Sequence, residues 1–270
     1  MPELPEVETT RQGIAPHLTG HTVTAVVVRE QRLRWPVPRE LEAHLVGQPI
    51  VEVDRRGKYL LLKASRGGLL VHLGMSGRLQ IVGADTPAQR HDHVDILFGE
   101  RCLRFTDPRR FGALLWSESD PSHHPLLRHL GPEPLEEDFH GSHLHQEAQG
   151  RRLAIKQLLM DNRTVVGVGN IYANEALFRA GLHPRRSAST LTPGEWDRLA
   201  AMVRTVLLEA LSQGGTTLRD FVDGHGKAGY FQQSLQVYGR NHQPCLHCGE
   251  AIQLCRLGQR ATYFCSRCQL

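Results

Sequence analysis

The sequence predicts an α+β protein: one N-terminal helix, a mostly β first half, and a helical second half that closes on a small two-stranded hairpin. Three observations predict it. Short alternating apolar runs follow one another from residue 22 to residue 116 with no helix-length segment between them, the pattern of a sandwich or barrel and not of a doubly wound sheet. Beyond residue 150 the apolar residues switch to helical spacing. The last segment is bracketed by two Cys-x-x-Cys pairs. At 270 residues the chain is long enough to divide into two modest cores.

The first helix is expected from Pro5, because proline suits the first helical position and Glu6 and Glu8 suit the positive end of the dipole. It should end near Leu18–Gly20. Strands follow at 22–29, 50–55, 59–63, 69–73, 78–82, 94–98, 101–105 and 113–116, most of them punctuated by glycine. Residues 121–150, rich in Pro, His, Gly and acid, read as a linker with one short helix. Three apolar stripes come next: Leu153 to Leu159, Ile171 to Phe178, and Trp196 to Leu211 behind a Thr192-Pro193 start. The expected domains are 1–120, the linker 121–150, a helical domain 151–236 and a terminal finger 237–270.

Composition excludes several classes. The chain is 40% hydrophobic and 22% charged, with 32 basic against 28 acidic side chains and a net charge of +4, so it has neither the low hydrophobicity nor the charge excess of disorder. No apolar run approaches the ~18 residues that cross a bilayer, and residues 1–20 lack the apolar stretch of a secretory signal. A cytoplasmic protein with reduced thiols and no membrane partner is therefore expected. The location of the charge says more than its total. From Val237 to the end, four arginines face the single Glu250, and from Arg101 to Gly112 four arginines face Asp107. Glu3, Glu6 and Glu8 cluster at the N-terminus. Basic patches beside an acidic spot fit a polyanion surface with chemistry in it; scattered solvated charge fits as well.

Cys245 and Cys248, then sixteen residues, then Cys265 and Cys268 match a four-thiolate zinc site. Disulfides are disfavoured in a reducing compartment, and the duplicated spacing disfavours a redox centre. Four thiolates leave no open coordination position, so one structural Zn²⁺ is expected, holding a hairpin with strands at 251–254 and 261–264 around a turn at 257–259. Arg256, Arg260 and Arg267 on that finger could grip phosphates or simply guard an exposed edge. Gly167 and Gly169 allow a tight turn before Asn170 opens a helix, whose first N–H groups have no partner within the helix and can take a phosphate; many ordinary helix starts look the same. Finally, removal of Met1 would leave Pro2 as a secondary amine with a reference pKa of about 7.7–8.0. Such an amine can attack a sugar anomeric carbon, with Glu3 and Glu6 close enough in sequence to move protons. The plainer alternative is a helix-leading proline followed by two dipole-capping acids.

Read together, the motifs resemble one family along the whole chain. PELPEVET at Pro2–Thr9, GKYL at Gly57–Leu60, HLGMSG at His72–Gly77, HDHVD at His91–Asp95 and TDPRRFG at Thr106–Gly112 occur in order. MDNRTVVGVGNIYANEALF at Met160–Phe178 and VYGR before the four cysteines complete the set. The chain resembles the formamidopyrimidine-DNA glycosylase/endonuclease VIII family. The resemblance implies a β-sandwich domain and a helix-two-turns-helix domain with a zinc finger, flanking a DNA-binding cleft. It implies Pro2 as the nucleophile, Glu3 assisting glycosidic cleavage and ring opening with Glu6 in support, and Lys58 at the lesion phosphate. Met75, Arg109 and Phe111 match the trio that fills the void left by a flipped base. His72, His91, Arg110, Lys156, Asn170 and Arg260 match further DNA contacts. Arg219, Lys227, Gly229 and Tyr230 fall in the lesion-base loop, where Ala228 replaces a common proline.

Leu4 favours the branch that removes oxidised purines, 8-oxoguanine and formamidopyrimidines, by a Schiff base on Pro2 and β,δ-elimination. An endonuclease VIII-type enzyme for oxidised pyrimidines, which usually has glycine there, is the alternative; a non-catalytic zinc-dependent DNA-binding protein would not need Pro2 or Glu3. The resemblance further implies a monomer in the bacterial cytosol and nucleoid whose partner is damaged double-stranded DNA.

Overall fold

A computed structural model of the chain describes residues 2–215 and 234–270. The described residues divide into two compact units, 2–128 with 213–215, and 129–212 with 234–270.

The first unit opens with α1 (Leu4–Leu18). Val7, Ile14 and Leu18 are fully buried, and their spacing puts them on one helical face. Eight strands follow: β1 (Ala25–Val28), β2 (Ile50–Arg56), β3 (Tyr59–Ala64), β4 (Gly68–His72), β5 (Arg78–Gly83), β6 (Asp92–Phe98), β7 (Arg101–Thr106) and β8 (Ala113–Ser117). They form two antiparallel sheets, ordered β1-β6-β7-β5 and β2-β3-β4-β8. Leu60, Leu62 and Val71 from one sheet share a single apolar cluster with Ile96, Leu103 and Phe105 from the other, and α1 contributes to the same cluster. The expected sandwich is thus present. All eight expected strands occur, the first of them starting at Ala25 and not at Thr22. The short helix α2 (Leu41–Leu45) was not expected, because a single turn carries too little periodicity to stand out.

The second unit is helical. It holds α3 (Gly141–Ala148), α4 (Ile155–Leu159), α5 (Asn170–Arg179) and α6 (Pro193–Ser212). The segment 121–150 is more ordered than its composition implies. Pro121–His123 forms a 3₁₀ turn against β3 and β4, and α3 packs on α6 with Phe139 and Leu144 fully buried. The chain ends in the hairpin β9 (Gln253–Leu257) and β10 (Arg260–Phe264). Its first strand lies two residues later than expected at its start, so that Gly258 and Gln259, both at positive φ, make a two-residue turn. Positive φ at both central positions gives the turn the hand that matches strand twist. Among the described residues no helix is long and apolar enough to cross a membrane.

Candidate active site and nucleic-acid interface

The head of α1 brings three of the expected residues together. Pro2, Glu3 and Glu6 are all buried, the two glutamates at 2% exposure. Glu3 caps the helix, and its backbone N–H donates to Glu6 Oε2 at 2.9 Å. A buried carboxylate needs such a partner, since an unpaired one would carry a desolvation penalty of several kcal/mol. Gly215, at φ +81°, comes so close to Glu6 that a Cβ there would stand 2.9 Å from Oε1; only glycine tolerates both the conformation and the approach.

Lys58 sits in the two-residue turn between β2 and β3, where Gly57 takes a φ of +57°. The turn is tied to α1 by Arg55, which sequence reasoning missed. Its Nε donates to Glu8 Oε2 at 3.1 Å and its Nη1 to the Gly57 carbonyl at 3.0 Å. Arg11 holds the other side of Glu8, with Nη2 at 2.7 Å from Oε1. Burial raises the Glu8 pKa, but hydrogen bonding and charge from Arg11, with Arg55, outweigh it and hold the carboxyl below its ordinary value. His72 on β4 is the register partner of Tyr59 on β3, their ring centroids 4.8 Å apart. Burial first, then Lys58 and Arg34, press its pKa down to about 4. The ring is therefore neutral near pH 7, and because its Nδ1 accepts from Gly74 N–H at 2.9 Å, Nε2 carries the proton.

The loop 107–112 presents Arg109, Arg110 and Phe111. Asp107, fully buried, pins it: one oxygen accepts from Ser76 Oγ at 2.7 Å and from Arg109 N–H at 3.2 Å, the other from Gly112 N–H at 2.8 Å. The His93 ring contacts the Asp107 carbonyl at 2.7 Å, and Asp107 N–H donates to the His91 carbonyl at 3.0 Å. The TDPRRFG motif marks the segment, but the burial that gives Asp107 this role shows only in the structure. With the loop thus held, Phe111 stays 45% exposed and the Arg109 guanidinium stands 4.9 Å from its ring centroid. Gly74, one residue before the half-buried Met75, abuts the Phe111 backbone so closely that a Cβ there would collide with the Phe111 carbonyl carbon. Met75, Arg109 and Phe111 therefore stand on adjoining loops. Arg110, at φ +57°, pairs with Glu30 at 3.2 Å.

One cationic run is not what its composition implied. Arg104 is 5% exposed and forks onto Asp95 with two bonds of 2.9 Å, while Arg29 reaches the same carboxylate at 2.6 Å. It is an interior ion pair, because β7 turns that side chain under the 84–91 segment, where Nη1 and Nη2 donate to the Pro87 and Thr86 carbonyls.

In the second unit the four cysteines converge. Their sulfurs all lie within 4.8 Å of one another, Cys245 to Cys268 at 3.9 Å and Cys248 to Cys265 at 3.5 Å. A zinc–sulfur bond of about 2.3 Å in a tetrahedron separates sulfurs by about 3.8 Å, so the set fits one Zn²⁺. Cys245 and Cys265 pack with Phe178, Val237 and Ile252 in a small core of their own. Glu175 on α5, fully buried, accepts three successive backbone N–H groups, from Gln236, Val237 and Tyr238, at 2.8–3.0 Å. It anchors the segment that leads into the finger.

Lys156 lies in the first turn of α4. It is 1% exposed, and its ammonium donates to the Ala261 carbonyl and to Thr262 Oγ1, both at 2.8 Å. The first turn of α4 faces β10, so this lysine docks the finger from inside instead of standing on the surface. Asn170, the first residue of α5, donates from Nδ2 to the same Ala261 carbonyl at 3.0 Å. Arg260 lies at the exposed end of the hairpin, beside the turn. Arg219, Lys227, Gly229 and Tyr230, with Ala228, lie outside the described residues.

Three family models match the chain: "Formamidopyrimidine-DNA glycosylase N-terminal domain" over residues 1–114, "Formamidopyrimidine-DNA glycosylase H2TH domain" over 130–222, and "Zinc finger found in FPG and IleRS" over 243–270. The chain is 55% identical to the formamidopyrimidine-DNA glycosylase of Nitrosococcus oceani and 57% identical to that of Methylococcus capsulatus, covering 100% of both chains in each pair. Among solved structures it is similar to a Lactococcus lactis FPG mutant in complex with Fapy-dG containing DNA, with TM-score 0.93, 31% identity and 99% of each chain covered. It is also similar to the MutM (FPG) protein of Thermus thermophilus, with TM-score 0.89, 41% identity and coverage of 99% of this chain and 98% of that one.

Proposed function

The chain belongs to the formamidopyrimidine-DNA glycosylase family, and from that premise we propose a bifunctional base-excision-repair enzyme that removes oxidised purines from duplex DNA and then cuts the strand. The observation that carries this reading is the buried head of α1, where Pro2 is followed by Glu3 and Glu3 is held by Glu6.

With Met1 removed, the Pro2 nitrogen is a secondary amine whose lone pair attacks C1′ of the damaged nucleotide. The C1′–N bond breaks, its electron pair leaves on the base, and the base takes up a proton. The Pro2 nitrogen, cationic after the attack, gives its proton to Glu3, which passes it to O4′ as the sugar ring opens, leaving an iminium between Pro2 and C1′. Glu6 is the positioning residue that fixes Glu3. The iminium makes the C2′ proton acidic; its loss expels the 3′ phosphate, and a second elimination expels the 5′ phosphate, so no oxidant is needed. Lys58 supplies positive charge beside the lesion phosphate, which favours the developing anions. Flipping the base out costs a few kcal/mol, offset by Met75, Phe111 and Arg109 filling the gap, with Arg109 reading the orphaned base. The exposed Arg260 grips the backbone, and zinc keeps its hairpin folded. Leu4 supports 8-oxoguanine and formamidopyrimidines over oxidised pyrimidines as substrates. The enzyme acts as a monomer at the bacterial nucleoid.

Borohydride trapping on an 8-oxoguanine duplex tests the chemistry. Methionine-processed protein should give a covalent protein–DNA adduct, faster than on a thymine glycol duplex, and Pro2→Gly should weaken it. No adduct with processed protein would sink the amine mechanism; faster trapping on thymine glycol would overturn the purine assignment.

A further inference from the structure

We propose that the cavity between β5, β7 and the 84–91 segment is a phosphate-binding site gripped by Arg78 and Arg90. The cavity is about 320 Å³ and opens on the outer face of the first unit's β1-β6-β7-β5 sheet. Arg78, Arg90, His91, Asp92, Arg104 and Pro108 are among its lining residues.

Its charges do not balance internally. Asp92 is satisfied: Thr106 Oγ1 donates to one oxygen at 2.6 Å, Gln89 N–H to the other at 2.7 Å, and Arg104 Nη1 stands 3.4 Å from it. Asp95, behind the wall, is shared by Arg104 and Arg29. Two carboxylates thus face two guanidiniums. Arg78 and Arg90 remain as surplus cations: the Arg78 backbone is paired with Thr106 in the ladder, but neither guanidinium has a hydrogen bond or ion pair among the described residues. Two like charges lining one concavity repel each other unless an anion lies between them, and a planar guanidinium matches phosphate oxygens with two parallel bonds. The side chains of Gln80 and Gln89 add neutral donors to the same walls.

The position of the cavity indicates the source of the phosphate. Pro108 is in its wall, and the chain continues through Arg109 and Arg110 to the exposed Phe111. The inference rests on the DNA-binding reading above: a loop that enters the duplex brings the neighbouring phosphates, roughly 3.4 Å apart along the axis per strand, to this site. Free inorganic phosphate shares the same chemistry and is the second source.

The test uses full-length, zinc-loaded, methionine-processed protein and a duplex with an uncleavable abasic analogue, bound between about 50 and 200 mM salt. Arg78→Gln and Arg90→Gln should each weaken binding about three- to tenfold at the higher salt and reduce the log–log salt slope by about 0.9. Unchanged thermal midpoints would show that the fold is kept. In a second arm, inorganic phosphate is titrated while the arginine Nε–H NMR signals are followed. Movement of the Arg78 and Arg90 signals without any change in the DNA slope supports the site with free phosphate as its ligand. Unchanged slope together with unmoved signals overturns the proposal. Both readouts are independent of adduct formation, so failure of the amine mechanism would be seen separately, in wild-type trapping.

Discussion

Arg55 on β2 reaches Glu8 on α1 at 3.1 Å, and the same guanidinium holds the Gly57 carbonyl at 3.0 Å, so one side chain joins the helix that carries Pro2 and Glu3 to the turn that carries Lys58. Two hydrogen bonds from a planar fork fix both distance and angle, which a lysine cannot reproduce.

Arg55→Lys is therefore expected to slow single-turnover adduct formation about tenfold while changing duplex affinity less than threefold, because the carboxylates and the lysine lose their common frame. A thermal midpoint measured alongside should fall only modestly, because lysine keeps a positive charge beside Glu8 and the loss stays below the roughly 1.5–3 kcal/mol of a full charge-assisted hydrogen bond. Equal losses in affinity and rate would count against a positioning role.

Lys156 separates docking from phosphate contact. If its buried ammonium holds β10, Lys156→Met should destabilise the protein by about 2–3 kcal/mol, the range for losing hydrogen bonds to a charged group, with a salt slope for DNA binding unchanged in the fraction that remains folded. A phosphate contact would instead lower the slope with the melting temperature intact. Differential scanning calorimetry and anisotropy on the same samples distinguish the two.

Zinc removal should act on the finger. The four cysteines and the small core around Cys245 and Cys265 have too little apolar area to fold alone, and structural zinc contributes roughly 10–16 kcal/mol in isolated finger peptides. Chelation or Cys245→Ser is expected to raise the dissociation constant for lesion duplex at least a hundredfold. Proton NMR signals of the β-sandwich methyls, which belong to a separate core, should persist. Retained affinity without zinc would overturn the finger's role.

His72 makes stability pH-dependent. Its pKa is lowered from 6.5 to about 4 by burial, Lys58 and Arg34, so the unfolded chain binds a proton more readily than the folded one. Its contribution is fully present above about pH 6.5, is lost progressively as pH falls toward 4, and amounts to about 3 kcal/mol at most. Urea titrations across that window should show a shallower decline in His72→Gln than in the parent; parallel declines would show that His72 does not titrate with folding.

Much of the architecture was legible in residue order, because its causes are local. Alternation of period two marked β2 to β8, and a helical stripe with a proline at its first turn marked α1. The Cys-x-x-Cys spacing marked the zinc ligands, since two short turns suffice to aim each pair. The motif around Pro2, Glu3 and Glu6 was equally visible, although their burial was not.

What only the tertiary structure decided is where each charge ends up. Lys156 and Arg104 look in sequence like other surface cations, yet one is covered by a hairpin 105 residues further along and the other by a carboxylate on the neighbouring strand. What residue order did not show is that Arg55 reaches Glu8 on α1 and that Asp107 reaches Ser76 on another loop, because those partners are distant in the chain. Periodicity specifies which face of an element is apolar, but the fate of an ionised group depends on which distant partner folding brings to it, and on whether water is then excluded.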